Sequence, residues 1–285
     1  MITNAVKSML PQLIELWKEC FGDSEEYISF FFSNNLQGTD RFENLYVYVE
    51  NGKPVSMLTV LEAELVSEGE SDKFWYIYGV ATAKEHCKKG YAGRLLLYVL
   101  SKVEENGAVA GLVPANQSLF AYYKKFGFET FFYKRVWEYS AEQAGTDENI
   151  TEKYRISHVS EKQYNRMRNE TFAAIPHIKW SDHAVAYAIE ENEKLGGETL
   201  RISSKNEDYF VMYYFYDRIL YVRETNAPMQ LLGKMVSNLC KKHALEKAIV
   251  SMACDFSMIG NEVPHGMIYK KSEKYKFPYF GLALD

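Results

Sequence analysis

No stretch of the 285-residue sequence approaches the ~18 consecutive apolar residues that a membrane-spanning helix needs. The opening segment, MITNAVKSML, lacks the charged-then-apolar order of a secretory leader. Cysteine is scarce: Cys20, Cys87, Cys240 and Cys254 lie far apart, form no C-x-x-C, and have no histidine pair at zinc spacing. These absences lead us to expect a soluble, cytoplasmic, metal-free protein that does not engage a membrane. Basic residues are not in excess either. A net charge of −5 and a pI near 5.8 argue against nucleic acid as a partner, because phosphate backbones demand clustered Lys and Arg. What the chain does have is apolar and aromatic mass, 47% and 15% of its residues, which excludes disorder and supplies a sizeable core. Its length suits one large domain or two medium ones.

Periodicity favours two. Apolar residues at helical spacing (Leu13, Leu16, Trp17 and Phe21, then Tyr27, Ile28 and Phe31) predict two short helices broken at Gly22-Asp23-Ser24. Residues 45–50 and 54–67 read as strands joined by Asn51-Gly52, a strong hairpin signal, with 73–82 completing a meander. A helix over 90–106 carries Leu95, Leu96, Val99 and Val103 on one face and stops at Gly107. A buried strand over 108–113, a helix over 116–126 and closing strands over 129–139 follow. Then AEQAGTDENITE, acidic and poor in apolar side chains, marks a linker. Beyond it the order recurs: helices over 161–172 and 182–195, strands over 199–203, 209–216 and 219–223, a helix over 228–245, and strands over 247–253 and 279–284. The expected division is therefore a first domain over 1–141, a linker over 142–152 and a second domain over 153–285, similar in element order though hardly in residue identity.

The informative stretch is GVATAKEHCKKGYAGRLL, residues 79–96. Gly90 and Ala92 let the chain turn tightly between strand and helix and let a ligand approach the backbone. The N–H groups of Lys88 through Gly93 then stand unpaired at a helix N-terminus whose dipole favours anions. Lys88, Lys89 and Arg94 add positive charge, so the turn reads as a diphosphate cradle. It matches neither the P-loop pattern nor G-x-G-x-x-G. Downstream come the strand LVPA and the helix NQSLFAYYKKFGF. Together these segments resemble the GCN5-related N-acetyltransferase (GNAT) superfamily over roughly residues 1–140. The family's Q/R-x-x-G-x-G/A segment matches Cys87-Lys88-Lys89-Gly90-Tyr91-Ala92, with Cys87 in place of Gln or Arg. Its second signature matches Asn116, Tyr123, Lys125, Gly127 and Phe128.

The resemblance implies an α/β (α+β) fold of two tandem GNAT-like domains, each a mostly antiparallel mixed sheet flanked by helices, the second degenerate. It implies an acyltransferase that takes acetyl-CoA as co-substrate and acetylates a primary amine on a small molecule or peptide by direct attack in a ternary complex. Lys88, Lys89, Gly90, Tyr91, Ala92, Gly93 and Arg94 would then hold the pyrophosphate, and the main chain of Val80 and Thr82 would pair with pantetheine as an added strand does. Tyr123 would protonate the leaving thiolate. Asn116 reads either as a helix cap or as a pantetheine contact, and Arg94 either as a phosphate ligand or as a solvated charge. The general base stays open, since the strand KFWYIYGV carries no carboxylate: water, Asp72 or Glu70 at the loop, and the chain end are the options. The apolar end YFGLALD resembles that of the enhanced intracellular survival acetyltransferases, without their third, sterol-carrier-like domain. In those proteins the terminal carboxylate reaches the active site, which here nominates Asp285. In the second half, ETNAPMQLLGKMV has no Gly-x-Ala turn and no basic pair, and Pro228 removes an N–H, so no CoA is expected there. That half would wall the acceptor pocket, with its acidic helix AIEENEKLGG a solvated face. Two other functions fit the same fold: a non-catalytic acyl-CoA sensor or scaffold, and a tandem-GNAT aminoacyl transferase.

Overall fold

The computed structural model describes residues 1–140, 153–254, 259–270, 275 and 278–284. The expected linker and Asp285 lie outside the described residues. The first half runs β1 (Ile2–Val6), α1 (Leu10–Phe21), α2 (Glu25–Asn35), β2 (Arg41–Glu50), β3 (Lys53–Ser67), β4 (Glu70–Thr82), α3 (Tyr91–Glu105), β5 (Val109–Leu112), α4 (Gln117–Lys124) and β6 (Phe128–Ser140). The second runs β7 (Arg155–His158), α5 (Glu161–Phe172), β8 (His177–Lys179), α6 (Asp182–Lys194), β9 (Glu198–Ser203), β10 (Asp208–Tyr216), β11 (Ile219–Thr225), α7 (Met229–His243), β12 (Lys247–Met252) and β13 (Asn261–Tyr269). The two orders correspond: helices, a three-strand meander, a long helix, then a strand parallel to the third of the meander (β4 with β5, β11 with β12).

Local chemistry explains the joints. Gly22 ends α1 in the left-handed conformation (φ 79°), and the Ser24 hydroxyl caps α2 by accepting from the Tyr27 amide. Asn51-Gly52, Glu68-Gly69 and Asp217-Arg218 close the hairpins with φ positive at both turn residues, the geometry whose twist matches that of the strands it joins.

The described strands form a single sheet in the order β1-β2-β3-β4-β5-β13-β6-β12-β11-β10-β9-β7, with β8 pairing β3 off that path. Hydrogen bonding therefore crosses the boundary expected near residue 141. β13, from the second half, lies between β5 and β6, and β6 pairs β13 on one side and β12 on the other. One face carries α3 and α4 over Leu58, Val60, Ile77 and Leu112, and α7 over Leu220, Val222 and Val250. The opposite face holds a core continuous through both halves, from Trp17, Phe31 and Tyr76 to Tyr164, Phe210 and Phe280. No helix among the described residues is long and apolar enough to cross a membrane.

The expected strand over 279–284 is not one. Its residues are buried, but only Tyr279 makes a bridge, to His177. Side chains meet the carbonyls beyond it instead: Trp180 Nε1 donates to Gly281 (2.8 Å) and Tyr76 to Leu284 (3.1 Å).

His177 packs in this core, its Nδ1 3.0 Å from the Ile175 carbonyl, and burial lowers its pKa from 6.5 to about 4. A depressed histidine contributes stability above its unfolded pKa and loses it as pH falls from about 6.5 toward 4, by up to roughly 3 kcal/mol. A His177→Gln variant should lose less urea resistance than the parent between pH 7 and pH 4. Parallel losses would assign the acid sensitivity elsewhere.

Candidate active site

The chemistry gathers where β4 leaves β5. The parallel pairing covers Phe74↔Val109, Trp75↔Ala110 and Tyr76↔Gly111, then stops, while β4 runs on to Thr82. From Ile77 to Thr82 the edge of β4 facing β5 has no strand partner among the described residues. On its other side β4 pairs β3 with a bulge at Gly79-Val80, opposite Leu58, and Gly79 adopts φ 62°. A methyl at Gly79 would meet the Trp17 ring at 3.2 Å, so this bulge needs glycine on two counts.

Past Thr82 a 3-10 turn (Lys84–His86) leads into the cradle. Lys88 (φ 65°) and Gly90 (φ 81°) are both left-handed, and α3 starts at Tyr91 with no side-chain cap. Beyond Cys87, the first amide to find a backbone acceptor is that of Arg94, which donates to Gly90. Those of Lys88 through Gly93 have none among the described residues, and space is open where a Gly90 Cβ would sit. Consecutive unpaired amides at a helix N-terminus, flanked by exposed Lys88 and Lys89, fit a diphosphate.

Other predicted residues play supporting parts. Tyr91 turns its side chain away from the cradle: the ring stacks on Tyr48 (4.3 Å) and the hydroxyl donates to Glu50. That hydrogen bond, with His86 and Lys89 nearby, holds the Glu50 carboxyl below its usual pKa. Ala92 is half-buried. Gly93 is buried against Phe126, whose ring a methyl would meet at 2.9 Å, so it lets α3 approach the end of α4. Arg94 is exposed and donates to the Tyr48 hydroxyl (3.3 Å). The Thr82 carbonyl accepts from the thiols of Cys20 (3.4 Å) and Cys87 (3.6 Å), and Val80 packs beside the α3–α4 core. Asn116 caps α4, its Oδ1 accepting from the amides of Ser118 and Leu119.

Tyr123 points into the same core as Ile77 and Val80, is 7% exposed, and its hydroxyl has no hydrogen bond among the described residues. Burial, with Tyr122 adding to it, raises its pKa, so the phenol stays protonated. Of the alternative bases, Asp72 accepts from Tyr275 (2.5 Å) near the start of β4, about 20 Å along the strand from Tyr78, and Glu70 lies farther still. Neither sits at the open end.

Sequence reasoning missed what faces that end from the second half. Tyr27 of α2 donates to Glu191 Oε1 (2.9 Å), as does Tyr187 (3.2 Å), and Arg223 of β11 donates to Oε2 (2.8 Å). Glu191 is 5% exposed, so this part of α6 is buried rather than a solvated face. No local pattern announces a contact between residues 164 apart in sequence.

The second half has no equivalent cradle. After β11 the Ala227 amide is taken by the Thr225 hydroxyl, and Pro228 precedes α7 without an N–H to offer. A cavity of about 220 Å³ does lie there, but against β10–β12 and the segment 279–283, lined by Lys134, Tyr214, Tyr221, Arg223 and His265. It is not at the cradle, and the unpaired amides locate the chemistry better than the cavity does.

A strand splayed open at a bulge, leading into unpaired amides at a helix start, is shaped to take an extended ligand with an anionic group at one end. Residues 2–131 match the family model "Acetyltransferase (GNAT) domain". That segment is a domain of the GNAT superfamily, and the chain is an acyltransferase of this type. Comparison with curated proteins finds no match. Among solved structures the chain is similar to a probable N-acyltransferase of Enterococcus faecalis V583 (TM-score 0.71, 12% identity, covering 94% of this chain and 72% of that one). It is similar also to a GCN5-related N-acetyltransferase of Anabaena variabilis ATCC 29413 (0.69, 16%, 94% and 72%) and to Eis1 of Mycobacterium abscessus (0.66, 11%, 94% and 73%). At these identities the likeness is one of fold, and it extends over both halves of the chain.

Proposed function

We propose that the protein transfers an acetyl group from acetyl-CoA to a primary amine by direct attack within a ternary complex. Residues 1–141 are the catalytic unit, 142–152 the linker, and 153–285 a degenerate copy that completes the acceptor side. The reading rests on one observation: the open edge of β4 runs directly into the unpaired amides of Lys88 through Gly93. Those amides, with Lys88 and Lys89, would hold the diphosphate, and the main chain of Val80 and Thr82 would receive the pantetheine arm. Acetyl-CoA supplies an activated acyl group. As the amine nitrogen bonds to the acyl carbon and the C–S bond breaks, the Tyr123 hydroxyl gives its proton to sulfur. Asp285, one residue beyond the Leu284 carbonyl that Tyr76 holds, is kept as a candidate proton acceptor. Cys20, Cys87 and Cys240 are free thiols, which suits a reducing, cytoplasmic setting.

Acetyl-CoA at a hundred times its Kd should stabilise the protein by about 2.7 kcal/mol, read as a rise in Tm. Thiol release with a panel of small-molecule and peptide amines then identifies the acceptor. Reversing both Lys88 and Lys89 to Glu should raise the Kd for acetyl-CoA roughly tenfold or more and leave acceptor binding nearly unchanged, with a weaker salt dependence of cofactor binding. Stabilisation without thiol release would favour the sensor reading, and no response to acetyl-CoA would sink both.

A further inference from the structure

We propose that Cys20 and Cys87 are a redox-sensitive thiol pair that closes to an intramolecular disulfide and, in closing, dismantles the diphosphate cradle. The pairing itself stands on geometry, and its effect on acetyl-CoA rests on the acetyl-transfer reading.

The two thiols come from distant parts of the chain and meet at one oxygen. Cys20 lies in the last turn of α1, and its Sγ donates to the Thr82 carbonyl at 3.4 Å. Cys87 follows the 3-10 turn, one residue before the cradle, and its Sγ donates to the same carbonyl at 3.6 Å. Sulfurs that share an acceptor at these distances stand at most about 7 Å apart, so side-chain rotation and a modest shift of one segment bring them to the ~2.05 Å of a disulfide. A second contact ties the same segments together. The Lys84 amide donates to Glu19 Oε1 (3.2 Å), and the Cys87 amide closes the turn on the Lys84 carbonyl (3.2 Å). The end of α1 therefore holds the approach to the cradle at both Glu19 and Cys20.

Exposure divides the roles. Cys87 is exposed, whereas Cys20 is half-buried, and burial raises its pKa above the ordinary thiol value. Cys87 is thus the first to meet a small-molecule disulfide, RSSR. Its thiolate attacks one sulfur, the S–S bond of RSSR breaks, and the RS⁻ that leaves takes up the proton Cys87 gave up. Cys20 then loses its proton and attacks Cys87 Sγ, expelling the second RSH. The protein has given up two electrons and two protons, RSSR has become two RSH, and the Cys20–Cys87 bond remains. Movement falls on the Cys87 side. Cys20 rides on a helix anchored by buried Leu16 and Trp17, while Cys87 sits on an exposed turn whose next residues include left-handed Lys88 and Gly90. Drawing Cys87 toward α1 rotates that turn, so the amides of Lys88 to Gly90 no longer converge on one anion with those of α3. Losing even one hydrogen bond to a charged phosphate weakens binding roughly tenfold or more.

The test treats the reduced wild type, Cys20→Ser and Cys87→Ser with glutathione disulfide and reads intact mass, peptide maps and acetyl-CoA binding. The wild type should lose two hydrogens, with the new bond mapped to Cys20 and Cys87. Its Kd for acetyl-CoA should rise roughly tenfold or more and return to the starting value with dithiothreitol. Cys20→Ser should stop at a glutathione adduct on Cys87, because no second thiol resolves it. Cys87→Ser should form neither the bond nor the adduct and keep its own Kd. A wild type that ends as the Cys87 adduct overturns the pair. A mapped disulfide that leaves the Kd unchanged overturns the effect on the cradle. If the reduced wild type binds no acetyl-CoA, the acetyl-transfer reading falls and takes the effect on the cradle with it, whereas the mapped bond still decides the thiol pair.

Discussion

Replacing Arg168 with methionine is expected to destabilise the protein by about 3–5 kcal/mol. Arg168 of α5 and Glu224 of β11 are both fully buried, with Nε 3.0 Å from each carboxylate oxygen. The rest of the guanidinium is spent on backbone: Nη1 donates to the Ile178 carbonyl (2.7 Å) and Nη2 to that of Gly281 (3.4 Å). Tyr164 adds a hydrogen bond to Glu224 (2.9 Å). Methionine matches the volume but strands a charged carboxylate where water cannot reach, and it releases two carbonyls. The reverse comparison separates this from simple packing. A double variant, Arg168→Met with Glu224→Leu, removes both charges and should recover much of the lost stability. Urea unfolding of the wild type, both singles and the double gives the coupling directly. Additive losses would mean that the pair contributes shape and not charge.

The same cluster explains why part of the fold was illegible in the sequence. Residues 279–284 read as a strand because they are apolar, and the structure buries them without forming one. Their hydrogen bonds go instead to side chains from three other elements, and no local pattern records that. Gly281 shows the constraint: a Cβ there would lie 2.0 Å from Glu224 Oε1, so the chain passes against the ion pair only as glycine. β13 was missed for the opposite reason. NEVPHGMIY contains Pro264 and Gly266, residues that argue against an interior strand, yet β13 is central. The register against β6 shifts at Pro264/Gly266 and at Gly266/Met267, so the irregular residues sit at bulges where the regular ladder is interrupted. The cradle, by contrast, was legible because its parts are contiguous. Strand end, left-handed Lys88 and Gly90, and helix start lie within one short segment, so the local sequence carries the geometry. The proposed acceptor side joins α2, α6, β11 and β4. Its composition was visible in the sequence, but its convergence was not, and the acidic run containing Glu191 looked like a solvated surface until α2 and β11 were placed against it.

Tyr123→Phe is expected to lower kcat by roughly 10²- to 10⁴-fold, the range of a general acid working on the leaving group. The Tyr123 hydroxyl contributes little to the fold. It makes no hydrogen bond among the described residues, so its removal leaves no orphaned partner, and the ring remains packed with Phe128 and Tyr122. The unfolding midpoint should therefore stay near that of the wild type while turnover collapses. Because proton delivery to sulfur occurs only as the C–S bond breaks, KM for acetyl-CoA should change little, and kcat and kcat/KM should fall together. Burial raises the phenol pKa above its usual 10, so the donor form persists across the working range, and its loss would appear only as pH rises through that elevated value. An alkaline limb below pH 10 in the wild type must then come from another group and should survive in the variant's residual activity. Tyr122→Phe serves as the control: its side chain is less buried and one residue away, so it should retain most activity. Undiminished turnover in Tyr123→Phe would remove it as the acid and leave the thiolate to depart without a proton.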